Sequence, residues 1–393
     1  MPERRLSVCY ALPGQDLIPG SSRTRHVQSV ARALARTAQV TVVFLAPPGG
    51  VGDESFEVSA LELGVRVPAG TAPPLRRVTS RSVEARSSAF HVVLEGNWPF
   101  AGKVTTLCAQ RGVPAVPIVD HLPPTGWLAP LDAGREWLAL GASGRYLRRA
   151  PLVVAGSEEL KAAIVDRWRV DPERITVIPP GVDRARLHPR DQGEARRQLG
   201  ISADDRILLA GGILNGDHDL TPVIEAVQRV GDPGLRLHVL GEGEGRAALE
   251  RLAGRGKAVT FHGRVGDDLV PAFIAASDLC VAVERPDAPL GEEPGEAAFA
   301  LRECLAAGRP VAVGTDRSRH PLVRHLVSGF LLEHDLLSWA RFLQRDCPSR
   351  NTLRIMGVAA SATPIDGVDQ TAAAYLEAID RMRQAVGEQQ AAV

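Results

Sequence analysis

The stretch from Gly291 to Gly314, GEEPGEAAFALRECLAAGRPVAVG, decides how the chain is to be read. It passes from a Gly/Pro-rich acidic loop into a short apolar helix and then, through Gly308 and Pro310, into a strand. A loop feeding a helix after a strand is where an open α/β sheet offers free backbone N–H groups to a bound ligand. The same order recurs upstream. Ile207 to Ala210 leads into Gly211 and Gly212, Leu235 to Leu240 into Gly241, Gly243 and Gly245, Val259 to His262 into Gly263, and Leu279 to Val283 into the opening stretch itself. Short apolar or β-branched runs alternating with amphipathic helices imply an α/β chain whose parallel sheets are covered by helices.

The N-terminal half repeats the pattern. Leu6 to Leu12, Val40 to Leu45, His91 to Glu95, Val113 to His121, Leu152 to Ala155 and Ile175 to Ile178 read as strands. After the loop Pro13 to Ser22, Val27, Val30, Ala31, Leu34 and Ala35 recur at helical spacing. Ser157 is an expected N-cap, with Glu158 and Glu159 complementing the first-turn dipole. The polar, Arg-rich segment Asp183 to Asp205 reads as a linker. The expected organisation is therefore two Rossmann-like domains facing one cleft, over 1–186 and 187–368, followed by a terminal helix and tail over 369–393. In that helix Ala374, Leu376, Ile379, Met382 and Ala385 recur near helical spacing.

A chain of 393 residues suits two cores, and Lys+Arg balances Asp+Glu, so no field demands nucleic acid as a partner. The N-terminal half is slightly basic and the rest slightly acidic. Arg76, Arg77, Arg81 and Arg86, with Arg145, Arg148 and Arg149, suit either a solvated surface or peripheral contact with anionic lipid. The five cysteines are scattered and form no CxxC pair, which fits a reduced cytoplasmic setting. The start, MPERRLSVCYAL, lacks the long apolar run of a leader, and no run approaches the length of a membrane span.

From about Val153 to Gly329 the order of motifs resembles the retaining glycosyltransferases of family 4, which share the two-Rossmann GT-B fold. LVVAGSEELKAAI and RITVIPPGVDRARLHP are similar to that family's strand, helix and inter-domain turn. LHVLGEGEGRAAL resembles its strand ending in Gly-x-Gly, VTFHGRV and AASDLCVAV its next strands, and FALRECLAAGRPVAV its donor helix. PLVRHLVSGFLL fits the turn that follows, and GSSRTRHVQSVARALARTAQVTVV fits the family's first helix and second strand. The resemblance implies that the terminal helix crosses back to the first domain. It also implies transfer of a sugar from a nucleoside diphosphate sugar, with no cofactor and no obligatory metal, to a glycan, lipid-linked or small-molecule acceptor.

In the same terms Glu303 inherits the ribose-binding carboxylate, and N–H groups around Glu296, Ala297 and Ala298 would face the diphosphate. Gly212, Gly241, Val265 and Arg264 would line the donor side at strand ends, and Gly20, Arg23 and Trp98 the loops of the N-terminal domain. Trp127, like Trp98, follows a strand end and suits either stacking or core packing. Three departures stand out. Gly295 occupies the place of the family's first glutamate, with Glu296 one residue away and Glu293 two beyond. The family's diphosphate-binding Arg and Lys fall on Ile213 and His218. Each charge-assisted hydrogen bond is worth roughly 1.5–3 kcal/mol, so losing both without replacement costs about 10²- to 10⁴-fold. His218, Arg264 or Arg23 are the candidates to replace them. Third, the family's His-Asp at a strand end reads Asp120-His121 here; both are catalytic-side candidates with Glu296, and His121 equally suits a structural role. A second reading is a catalytically degenerate GT-B protein that binds a partner transferase or a glycan. A dinucleotide-dependent dehydrogenase is disfavoured, because no GxGxxG follows the first strand.

Overall fold

The computed structural model of the chain describes residues 6–12, 21–44, 57–60, 90–96, 105, 108, 110–120, 144–214, 219–283, 295–316 and 318–391. Within them, β1 (Leu6–Leu12), β2 (Ala38–Phe44), β3 (Glu57–Ala60), β4 (Val92–Gly96), β5 (Ala115–Val119), β6 (Val153–Ala155) and β7 (Ile175–Val177) form a parallel sheet in the order 3-2-1-4-5-6-7. A second parallel sheet holds β8 (Arg206–Gly211), β9 (Leu235–Leu240), β10 (Val259–Gly263), β11 (Leu279–Val283), β12 (Val311–Gly314) and β13 (Gly329–Leu332) in the order 10-9-8-11-12-13. This is the expected α/β architecture of two Rossmann-like sheets. In each, the order reverses beside the first strand of the set, at β1 and at β8, and such reversals open a crevice at the strands' carboxyl ends.

Central strands are buried along their whole length, as in β4, β5 and β11, because helices cover both faces of a parallel sheet. The described helices are α1 (Ser22–Ala35), α2 (Glu158–Trp168), α3 (Gln192–Leu199), α4 (Thr221–Val230), α5 (Arg246–Ala253), α6 (Val270–Ala276), α7 (Gly295–Ala306), α8 (Leu336–Arg341), α9 (Arg350–Ser361) and α10 (Val368–Ala391). Among the described residues no helix is long and apolar enough to cross a membrane.

The segment expected as a linker is partly structure. Asp191 caps α3 by accepting the Glu194 N–H at 2.7 Å, and Gly200 ends it in the left-handed region. The arginines that made this stretch look solvated include Arg196, which is buried and pairs with Asp278 at 2.9 Å. Asp278 also accepts from the Ile207 N–H at 2.7 Å and from Gln192 Nε2 at 3.1 Å, so one carboxylate fixes α3 to the entrance of β8.

The chain crosses between the sheets twice, side by side. On the outward pass the Val182 N–H donates to Asp366 O at 2.9 Å; on the return the Val368 N–H donates to Val182 O at 3.0 Å. Gly181 is needed there, since a Cβ at that position would lie 2.4 Å from Thr371 Oγ1 and 2.8 Å from the Gly367 carbonyl carbon. As expected, α10 crosses back to the first sheet, where it packs against α1. The buried face is Ala372, Tyr375, Ala378, Ile379 and Met382. Ala374 and Leu376 lie at its margin, so the apolar stripe expected from the sequence is turned by about one residue; the Ala385 side chain lies outside those described. The turn follows from Tyr375, which is enclosed in the core beside Tyr10 and which an aliphatic count leaves out.

Removing one partner of a buried ion pair leaves the other charge stranded, which costs about 3–5 kcal/mol. Asp278→Ala is therefore expected to lower stability by that amount in urea unfolding, whereas Asp278→Asn, which keeps an acceptor for Ile207 N–H, is expected to lose less.

Candidate functional site

The site is built around the first turn of α1. Ser21 caps this helix, its Oγ accepting the Thr24 N–H at 3.1 Å. Val27, Val30, Ala31 and Leu34 anchor it in the core of the first sheet. That anchorage holds the polar residues of the first turn at the carboxyl edges of both sheets. Arg23 turns towards its own sheet, where Nη2 donates to Asp120 Oδ2 at 2.6 Å, just beyond the end of β5. Ser22 and Arg25, three residues apart and so on one side of the helix, reach across to α7.

There they meet Glu303. Arg25 Nε donates to Oε1 at 2.8 Å, Arg25 Nη2 to Oε2 at 2.6 Å, and Ser22 Oγ to Oε2 at 2.7 Å. Arg25 Nη2 also donates to Ser22 Oγ at 2.7 Å. The Arg25 and Glu303 side chains are only 11% and 8% exposed, so this fork is largely withdrawn from solvent. Arg25 Nη1 lies 3.5 Å from Asp267, which gives its guanidinium a second carboxylate within reach.

Beside this pair opens a cleft at the carboxyl edge of the second sheet. Gly212, Gly241 and Val265, at the ends of β8, β9 and β10, line it together with Arg25, Ser22 and Glu303. Gly241 has φ +121°, and a Cβ there would sit 1.9 Å from Gly212 O, so these two strand ends approach with backbone alone. The cleft floor includes Cys280 and Cys304. A hydrogen bond with Cys280, and then burial, pushes the Cys304 thiol well up, leaving it a neutral packing group. α7 begins at Gly295, so the first-turn N–H groups from Gly295 to Ala297 lack intrahelical partners.

On the other side of α1 a smaller cavity is lined by Tyr10, Arg23, His26, Asp120, Phe299 and Tyr375. Burial, followed by the neighbouring Asp120 charge, raises the Tyr10 hydroxyl, and burial likewise raises Tyr375. Both therefore stay protonated as hydrogen-bond donors. His26 packs at a tilt against Phe299 with ring centroids 4.8 Å apart, and its Nδ1 lies 2.9 Å from Gly181 O. Burial pushes its pKa down to about 4 against the pull of that hydrogen bond, so the ring is neutral with Nδ1–H donating to the carbonyl. On the adjoining strand Glu95, fully buried, accepts from the Thr105 N–H at 2.8 Å and hydroxyl at 2.6 Å.

Of the residues singled out from the sequence, Glu303, Gly212, Gly241 and Val265 come together at one cleft, and Arg23 with Asp120 at its neighbour. Arg264 stands exposed beside Val265. Gly295, Glu296, Ala297 and Ala298 occupy the first turn of α7; the side chains of Glu296 and Ala297 are outside those described. His121, His218, Gly20, Trp98 and Trp127 lie outside the described residues. Ser22, Arg25 and His26 were not singled out. Their signal was a run of polar residues at the head of a helix whose later positions are apolar.

A family model described as Glycosyltransferase Family 4 matches residues 24–186, and one described as Glycosyl transferases group 1 matches residues 204–345. The chain is 29% identical over 325 residues to the D-inositol 3-phosphate glycosyltransferase of Stackebrandtia nassauensis, covering 77% of this chain and 71% of that one. It is 31% identical over 256 residues to the protein of the same name from Geodermatophilus obscurus, covering 61% and 55% respectively. The matched spans thus reach from about half to under three quarters of such relatives' lengths. Among solved structures, Anabaena HepE in complex with UDP and glucose aligns with a TM-score of 0.74 at 17% identity, covering 94% of this chain and 99% of that one. Sucrose-phosphate synthase from Thermosynechococcus elongatus aligns with a TM-score of 0.71 at 18% identity, covering 99% and 100%.

His26 sets a pH dependence. Between its ordinary value of 6.5 and about 4 the unfolded chain takes up a proton that the folded protein refuses. Its contribution is therefore complete above pH 6.5 and is lost as pH falls towards 4. His26→Asn, whose amide can still donate to Gly181 O, is expected to flatten the loss of stability across that window in denaturant titrations at stepped pH.

Proposed function

Because the chain belongs to the GT-B glycosyltransferases of family 4 and group 1, we propose that it transfers a sugar, with retention of configuration, from a nucleoside diphosphate sugar held by the C-terminal half. The observation that carries this reading is the convergence of Glu303, Gly212, Gly241 and Val265 on one cleft at the point where the second sheet reverses its order. A carboxylate has the acceptor pairs that a ribose diol requires. The open N–H groups at the start of α7 supply donors for the diphosphate. Glu296 is the candidate contact to the donor sugar; Arg264 and His218 are the candidates to supply positive charge.

The acceptor would enter from the side of Arg23 and Asp120. Tyr10 and Tyr375 offer hydroxyl donors there. The acceptor in this reading is a glycan, a lipid-linked sugar or a small molecule; the names of the relatives put a phosphorylated polyol first among those to try. Catalysis in this reading is positioning and stabilisation of the departing diphosphate, without a protein nucleophile or resident cofactor. A cytoplasmic place, with peripheral contact to the inner membrane face, suits enzymes that build polysaccharides or glycolipids. The second reading, a degenerate transferase that binds a partner, is favoured by Ile213 standing where the family has a cation.

UDP is the first nucleotide to test, since structural neighbours were solved with it. A ligand at a hundred times its Kd stabilises the folded state by about 2.7 kcal/mol, so UDP, GDP or ADP at that excess is expected to raise the melting temperature. Glu303→Ala is expected to abolish the rise. Product analysis by proton NMR is expected to show the donor's anomeric configuration retained. Sugar transfer by the wild type would dismiss the degenerate reading; nucleotide binding without transfer or hydrolysis across donors and acceptors would favour it.

A further inference from the structure

Assigning Glu303 to a ribose diol raises a question of capacity. An ionised carboxylate presents about four lone-pair sites, two on each oxygen. Arg25 Nη2 and Ser22 Oγ take both sites on Oε2, and Arg25 Nε takes one on Oε1. A single acceptor site is left, whereas the two hydroxyls of a vicinal diol ask for two. The groups that fill the carboxylate come from α1, on the opposite side of the cleft, and lie almost out of solvent.

We propose that Arg25 is a specificity-determining residue of the donor site, which competes with the ribose diol for Glu303. A nucleotide would then be seated by taking at least one lone pair back from the α1 groups that fill the carboxylate, of which Arg25 holds two and Ser22 one, and its binding would loosen the hold of α1 on α7. This rests on the reading of Glu303 as the ribose carboxylate. The displaced guanidinium is not left unpaired, because Asp267 already lies 3.5 Å from Nη1. Competition also discriminates among ligands: only one that offers two adjacent hydroxyls repays the broken fork. A rival role for Arg25, standing in for the cations absent at Ile213 and His218, predicts the opposite sign. If Arg25 gripped the diphosphate, its removal would weaken nucleotide binding.

Isothermal titration of the full chain with UDP, GDP and ADP separates these outcomes. Arg25→Met is expected to bind its best nucleotide about tenfold more tightly than the wild type. The 2′,3′-dideoxy form of that nucleotide, having no hydroxyl to compete, is expected to bind both proteins alike. Arg25→Lys keeps the charge but makes a point contact instead of a fork, so it should fall between the two; it also carries the test if the methionine variant does not fold. Nucleotide binding that Glu303→Gln weakens and Arg25→Met leaves equal or weaker would overturn the competition while the donor reading stands. Failure of all three nucleotides to bind either wild type or a folded Arg25 variant would overturn both.

Discussion

The buried fork between Arg25 and Glu303 joins the two halves of the molecule through groups that are expensive to bury. Taking each ion out of water costs several kcal/mol, and only near-ideal geometry recovers it. Here that geometry is supplied by two parallel N–H···O contacts and by the Ser22 hydroxyl. Arg25 can keep this position only if α1 is fixed. The Ser21 cap sets where the helix begins, Val27, Val30 and Leu34 seat it on the first sheet, and α10 closes over it from the far end of the chain. The chemistry of a carboxylate in the second half thus depends on the packing of the first and on the last helix.

Much of the fold was legible because parallel strands are buried on both faces and read as unbroken apolar runs. Leu6–Leu12, Leu235–Leu240 and Leu279–Val283 have the bounds that their runs of side chains mark out. β3 is different: Glu57–Ala60 is short, begins with a charge and lies at the sheet's edge, so neither length nor hydrophobicity announces it. Arg196 misled for a physical reason. A charged side chain is read as solvated until its partner is known, and Asp278 lies 82 residues away in sequence.

The candidate site was legible to the extent that it follows from strand ends and one helix. Gly212 and Gly241 mark places where backbone must approach backbone, which a sequence shows as glycine after an apolar run. Glu303 was visible because its helix carries neighbouring motif positions. Its partners were not: Arg25 is 278 residues away, and nothing local to α1 says that a second domain faces it. The same holds for Tyr375, which shares its pocket with Tyr10 and Asp120 only because the terminal helix returns to the first sheet. Pairings between distant segments are decided by tertiary packing, so they became visible only with the fold.

The two crossings between the halves carry a mechanical consequence. Val182 is bonded to the returning strand on both its N–H and its carbonyl, and Gly181 admits Thr371 and Gly367 where a side chain would not fit. Two covalent tethers laced together at one place act as an axle: they tolerate rotation of one half against the other but resist sliding. Hinged motion of this kind concentrates its angular change in a few residues and magnifies displacement with distance from the axis. His26 touches the axle directly through Gly181 O, one residue along α1 from the arginine that grips Glu303. The first two turns of α1 therefore hold both the contact with the crossing and the grip on Glu303, one residue apart.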